Sequence, residues 1–206
     1  MSEFKFPTEI VELPSKGFIY PKDNPLSSGK VEVKYMTARE EDILTNQSYI
    51  SKGTVLDKLL ESVIISKIDL DDLIVGDKNA LLIATRILGY GKDYEVEIKG
   101  EIENIDLSQL ENSHFDTSLI SQGVNEFEFL LPHSKTPITF KILTAKDEKG
   151  VESEIKGLKR LNKDASPELS TRLKHMICSV KGDTEKKAVR EFVDNYLLAR
   201  DSKALR

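Results

Sequence analysis

At 206 residues, with 39% hydrophobic and 32% charged side chains, the chain holds enough apolar material for one substantial core, or two small ones, beneath a well-charged surface. A net charge of −5, no tryptophan and 7% aromatic residues exclude a duplex binder, which needs a basic face, and leave few rings to stack on bases. No apolar run approaches the roughly 18 residues of a membrane span, the first residues have neither the basic start nor the apolar stretch of a signal peptide, and the one cysteine, Cys178, rules out an internal disulfide and suits a reducing cytoplasm.

Residues 1–30 are punctuated by Pro7, Pro14, Pro21 and Pro25, which break helices and central strands, while Phe4, Phe6, Phe18, Ile19 and Tyr20 supply apolar anchors. Ser15-Lys16-Gly17 and Asp23-Asn24-Pro25 read as turns. Two readings stand: an extended arm packed along the protein's own sheet edge, or an arm that docks on a partner by strand addition. The second makes Phe4, Phe6, Leu13, Pro14, Phe18, Ile19 and Tyr20 the candidate partner-binding residues. Gly29-Lys30 is not a phosphate loop, because the first glycine of that motif is missing at the required spacing.

Residues 31–91 form a strand followed by helices. Val31, Val33 and Tyr35 alternate with polar residues, as in a strand with one buried face. Thr37 with Glu40 then fits a capping box, and a short helix runs from Ala38 to about Gln47. Gly53-Thr54 opens a stronger helix with Val55, Leu56, Leu59, Leu60, Val63 and Ile64 at helical spacing. Asp69–Leu73 reads as one helical turn; it lacks the central glycine and terminal glutamate of a calcium loop. From Asp77 to Leu88 the apolar surface goes most of the way round, which predicts a central core helix, and Gly89-Tyr90-Gly91 ends it with a left-handed glycine cap. That Gly-x-Gly follows a helix and not a strand, so it is no dinucleotide site.

Residues 92–131 read as an insert. Tyr94, Val96 and Ile98 alternate with acids as a half-buried strand, Phe127 and Phe129 make a second, and the polar stretch with Asp106, Ser108, Asn112, Ser113, His114 and Ser118 makes a long tip between them.

The first corner then recurs in residues 132–206. Ile138, Phe140 and Ile142 answer to Val31, Val33 and Tyr35, and Thr144-Ala145 to Thr37-Ala38, with Asp147 as a shorter capping arm. Ala145–Leu161 is a charged helix, and Ser166-Pro167-Glu168 starts another in which Leu169, Leu173, Met176 and Ile177 face inward. Asp183 or Thr184 caps a last helix; its Asn195-Tyr196-Leu197-Leu198 echoes Asn79-Ala80-Leu81-Leu82, and the basic 200–206 stretch frays at the end. The expected fold is α+β: two pseudo-repeated strand-then-helices lobes with a β-hairpin insert and an extended N-terminal arm, in one compact domain overall.

Chemistry is harder to find. His175 and Cys178 share a face of the expected helix, but nothing near them in sequence orients the pair or opens a cleft. One cysteine cannot anchor a zinc site, and the carboxylates are spread over helix faces without forming a dyad. Lys156, Lys159, Arg160 and Lys163 are the one basic cluster, diluted by Glu152 and Glu154. The residues nominate no catalytic, metal or cofactor site.

Several phrases carry a family resemblance together: Leu13-Pro14-Ser15-Lys16-Gly17 with Tyr20-Pro21, Thr37-Ala38-Arg39-Glu40-Glu41, Gly76-Asp77-Lys78-Asn79-Ala80, Arg86-Ile87-Leu88-Gly89-Tyr90-Gly91, Leu158–Leu161, Arg172-Leu173-Lys174-His175 and Phe192-Val193-Asp194-Asn195. In their number and order, over nearly the whole chain, they resemble the baseplate hub proteins of T-even-type contractile-tailed bacteriophages, often labelled baseplate hub subunit or hub assembly protein. The resemblance implies a non-enzymatic role in building the hub beneath the tail tube. The partners would be other hub or tail proteins, met in the host cytoplasm during assembly or retained in the virion baseplate. A transient assembly chaperone absent from the mature virion is the alternative, and a small hydrolase whose site forms only on folding is the reading from another class. Some relatives carry paired cysteines in the insert, as a small zinc knuckle requires. This chain has Glu97, Gly100, Glu101 and Asn104 there, so metal binding is not carried over.

Overall fold

The structure, a computed structural model, describes residues 7–111, 120–164 and 166–205; Phe4 and Phe6, and the Asn112, Ser113, His114 and Ser118 stretch of the expected tip, lie outside them. The fold is α+β, with small antiparallel sheets and eight α-helices among the described residues. Where one compact domain was expected, the chain divides into two units, residues 1–124 and 125–206.

In the first unit, strand β1 (Thr8–Glu12) lies antiparallel to β2 (Lys30–Lys34), with Val11 opposite Val31. The arm therefore packs on the protein's own sheet edge. The chain between the strands is held by a backbone crossing: Leu13 N–H donates to Gly29 O at 2.8 Å. Gly17 and Gly29 sit at φ +78° and +68°, and a Cβ on Gly29 would stand 2.7 Å from Lys16 O, so both conformation and space demand glycine there. Past the corner come α1 (Ala38–Leu44), α2 (Gln47–Lys52) and α3 (Val55–Val63). The break after Leu44 is set by Asn46, whose side chain accepts from Ser48 N–H at 3.0 Å and starts a new helix. The single helical turn expected at 69–73 is a 3-10 turn at Leu70–Asp72, and the Asp69 side chain caps it.

Helix α4 (Val75–Tyr90) departs from expectation. It buries only Asp77, Leu81 and Thr85, a stripe at every fourth residue, and leaves Ile83 36% exposed, so it covers the core along one line instead of occupying its centre. Gly91 after it has φ 85° and ψ 172°, outside the left-handed helical region, so the expected left-handed cap does not form. The hairpin of β3 (Asp93–Ile98) and β4 (Glu101–Asp106) follows, turned by Lys99 and Gly100 at φ 54° and 87°, both positive as a type I′ turn requires.

The second unit holds a three-stranded sheet in the order β5 (Phe127–Leu130), β6 (Pro137–Phe140), β7 (Ile177–Val180). Two corrections follow. The Phe127 strand does not close the 92–131 insert; it pairs with β6, where Phe127 and Phe129 meet Phe140 at ring distances of 5.5 and 6.0 Å. Ile177-Cys178-Ser179-Val180 is not the end of a helix but a strand against β6; helix α6 (Glu168–Met176) stops one residue earlier. Helices α5 (Ala145–Leu161), α7 (Lys186–Asn195) and α8 (Ala199–Ala204) complete the unit. Its core joins Leu131, Ile138, Leu173, Ile177, Val180, Val189, Phe192 and Val193, with Leu197 and Leu205 packed against them. The terminal segment is thus anchored as a helix; Asp201 is buried within it.

The likeness between the two units runs deeper than the corner. In both units Leu-Pro directly follows an edge strand, and the leucine N–H bonds the carbonyl just before the corner strand: Leu13 to Gly29, and Leu131 to Thr136 at 3.0 Å. The residue after the proline donates its N–H to a buried aspartate at the third position of a helix: Ser15 to Asp77 at 3.0 Å, His133 to Asp201 at 2.8 Å. The matching phrases are Asp77-Lys78-Asn79-Ala80-Leu81 and Asp201-Ser202-Lys203-Ala204-Leu205. The expected echo at 195–198 was out of register, because α7 ends at Asn195 and Tyr196–Leu198 is not helical. After α3 and α6, each nine residues long, the chain returns to the same corner residue: Ile64 bridges Val33, and Ile177 pairs with Phe140.

Asp77→Ala strands a buried N–H and two hydroxyls, so it is expected to destabilise the first unit by about 3 to 4 kcal/mol. Native-state hydrogen exchange should show amides of β2 and α3 opening faster while those of β6 and α7 keep their protection. Asp201→Ala should give the reverse pattern. Protection lost equally in both units by either variant would refute separate clamps.

Candidate partner-binding surfaces

The arm residues nominated for docking are mostly inside. Leu13, Ile19 and Tyr20 are 2 to 3% exposed, and Pro14 and Phe18 are half-buried. Tyr20 donates its hydroxyl to Asp77 Oδ2 at 2.6 Å and accepts from Ile74 N–H at 3.1 Å; Ser15 Oγ donates to the same Asp77 oxygen at 2.6 Å. Burial, then the Asp77 charge, push the Tyr20 phenol well above its ordinary range, so it stays a neutral donor. Of the seven candidates, Leu13, Ile19 and Tyr20 are therefore core and not contact residues. Sequence could not reveal this, because the partner that fixes Tyr20 lies on α4, far along the chain.

The corners are closed to ligands as well. Glu40 accepts from Thr37 N–H at 2.8 Å, Ser62 Oγ at 2.6 Å and Lys34 Nζ at 2.9 Å. Burial pushes its pKa up, but the bonds from Ser62, Thr37 and Lys34 outweigh that and hold it at about 2. Asp147 repeats the arrangement with Thr144 N–H at 3.0 Å and Lys141 Nζ at 2.7 Å. Lys34 and Lys141 stand at the same spacing as the two threonines, a match that strand patterning had hidden.

A cleft of about 280 Å3 in the second unit holds the nearest approach to chemistry, since His175 and Cys178 both line it. Arg190 grips Glu154 with two bonds of 2.6 and 2.7 Å, and His175 Nε2 lies 3.0 Å from the same carboxylate. Arg190 first, then His175, hold the Glu154 carboxyl at about 2 against partial burial. Burial pushes the Cys178 thiol up, and Glu126 adds to it; an activated nucleophile needs the opposite shift. Among the described residues no group of three or more His, Cys, Asp or Glu is placed to hold a metal ion, and no helix is long and apolar enough to cross a membrane. In the basic cluster Lys159 pairs with Glu168, and Lys156 lies 3.6 Å from Glu152.

Apolar side chains stand in the open at several places, Ile10, Leu130, Leu161 and Tyr196 among them, and the β3–β4 hairpin gathers several in one short element. Tyr94 and Ile98, expected to be half-buried, are each 43% exposed, and Ile102 is 74% exposed. Alternation correctly marked a one-sided strand; it could not say whether anything lies on that side.

Two solution tests follow. Glu40 and Glu154 have folded pKa values near 2 against an ordinary 4.5, so their stabilisation is complete above pH 4.5 and is lost as the pH falls toward 2. The melting temperature of the wild type should drop across that window more steeply than that of Glu40→Gln; parallel curves would remove Glu40 from the account. Cys178 should react with a maleimide or iodoacetamide at pH 7 roughly ten times more slowly in the folded than in the unfolded chain. A faster folded-state reaction would reopen a nucleophilic role.

Compared with protein-family models, with curated proteins and with solved structures, the chain finds no match.

Proposed function

We propose that the chain is a non-enzymatic morphogenesis protein of a contractile phage tail, a baseplate hub subunit or hub assembly factor that binds other hub or tail proteins in the host cytoplasm. The observation that carries this reading is a contrast. The buried carboxylates that could do chemistry, Glu40, Asp77 and Asp201, are each engaged by backbone or hydroxyl donors of their own unit, while an apolar hairpin stands exposed. A protein built to hold surfaces in place needs just such satisfied carboxylates and an open apolar face. The order of phrases along the chain supplies the tail context.

A small hydrolase has one observation in its favour, the shared cleft of His175 and Cys178. The raised thiol pKa and the turn of the Cys178 thiol toward Met176 O, 3.7 Å away, favour packing over catalysis, whereas the His175–Glu154 bond would suit an oriented base equally well.

A permanent subunit would bury roughly 2,000 Å2 or more in its interfaces and stay in the particle. Quantitative mass spectrometry of purified virions and of tail intermediates from infected cells tests both forms. A fixed ratio to other baseplate proteins in the virion identifies a subunit. Presence on intermediates alone identifies a chaperone, and absence from both overturns the reading. Deleting residues 1–30 would be a poor probe, since it removes Leu13, Ile19, Tyr20 and Leu26 from the first unit's core.

A further inference from the structure

We propose that one face of the β3–β4 hairpin is a docking site for a protein surface that is apolar at its centre and carries lysine or arginine around it. Only the naming of that partner as a tail protein rests on the assembly reading; the docking itself does not.

The register fixes which side chains share the face. Tyr94 stands opposite Ile105, Val96 opposite Glu103 and Ile98 opposite Glu101, so one side of the ribbon presents Tyr94, Val96, Ile98 and Ile105 with two glutamates beside them. Val96 is half-buried, and Tyr94, Ile98 and Ile105 are 43, 43 and 36% exposed. A two-stranded hairpin is marginal in water by itself. This one is fastened at its base. Arg86 lies over the rings of Tyr90 and Tyr94 at 4.8 and 5.7 Å and donates to Gly91 O at 3.1 Å, and Leu107 N–H donates to Lys92 O at 2.9 Å. Toward the tip, Ile98 remains in the open on this face, while Ile102 stands opposite Glu97 on the other.

Charge selects the occupant. Residues 93–106 contain six carboxylates and one lysine. Lys92 pairs with Asp106 at 2.8 Å, at the base, while Glu101 and Glu103 lie on the apolar face itself. A nucleic acid or an anionic membrane would be repelled. A second copy laid face to face would bring four glutamates into one desolvated interface, which like-charge repulsion opposes. An apolar surface rimmed by cations satisfies both the exposed row and the acids, and it predicts association that is fast at low salt and slows as salt rises.

The test places a benzophenone amino acid in the full chain at position 98 on this face, at 97 on the opposite face, and at 196 in the second unit, in cells assembling tails. Irradiation followed by peptide mapping should link position 98, but not 97, to one protein, at a segment with apolar residues and lysine or arginine. The double charge reversal Glu101→Lys with Glu103→Lys, both at exposed positions, should cut that product at least roughly tenfold while circular dichroism stays unchanged. Links from 98 to another copy, to an acidic segment, or to nothing would overturn the docking face, as would a yield indifferent to charge reversal. If 98 links to a basic protein foreign to the tail, the docking stands and the tail reading falls. If tail proteins are reached only from 196, the tail reading stands and the docking falls.

Discussion

The fold depends on a buried aspartate that receives the backbone of a Leu-Pro turn. Proline removes one N–H and fixes φ, so the next residue's N–H is the first donor free to leave the strand. In the first unit Ser15 gives it to Asp77, and in the second His133 gives it to Asp201. Each bond ties an edge strand's exit to the start of a helix far along the chain. The carboxylate sits at the third helical residue, where the helix dipole also favours its charge. An unpaired carboxylate there would be costly to bury, which makes the clamp all-or-none. The second acceptor oxygen is used differently. Asp77 takes the hydroxyls of Ser15 and Tyr20, whereas Asp201 takes Ser134 N–H at 3.0 Å. The first unit therefore carries the longer loop, 14–28, because Tyr20 has to come back to the clamp; residues 132–135 cross the same gap directly.

With both ends of the edge strand fixed, the corners follow. The capping carboxylate is tied to its own strand through a lysine, Lys34 to Glu40 and Lys141 to Asp147. The shorter arm loses nothing: Thr144 Oγ1 accepts from Asp147 N–H at 3.3 Å and Asp147 accepts from Thr144 N–H, a reciprocal box. Glu40's extra methylene instead lets it reach Ser62 at the end of α3. That contact joins the corner to the helix whose exit, Ile64, returns to Val33.

Local signals in the sequence were read well and distant ones poorly. Both Thr corners, the Asp69 turn and the span of α5 follow from residues within a few positions of one another. The errors share one physical origin. Ile177 to Val180 is an apolar run too short to separate helix from strand by period, and its pairing with β6 decides it. Phe127 joined the wrong strand because alternation gives a face but no partner. Tyr20 looked like an anchor held out to a partner because Asp77, which buries it, lies on another element. Ser202 and Leu205 match Lys78 and Leu81 through Asp-x-x-Ala-Leu, whose aspartate takes the turn's N–H, whereas the more conspicuous Asn-x-Leu-Leu phrase has no such contact behind it.

The same contrast bears on function. A catalytic site keeps polar groups in tension, with carboxylates or thiols shifted toward reactivity. Here the shifts run the other way: Glu40, Glu154 and Asp147 are drawn further into the ionised range by their partners, and Cys178 is drawn further into the neutral one. Each group is made more inert in the form it already has. Such a pattern stabilises the folded form of each unit, and it is compatible with the assembly role proposed above. The hairpin is set by its own turn and register, and part of its apolar row stays exposed. An apolar row left partly exposed beside Glu101 and Glu103 is the feature that the proposed docking accounts for.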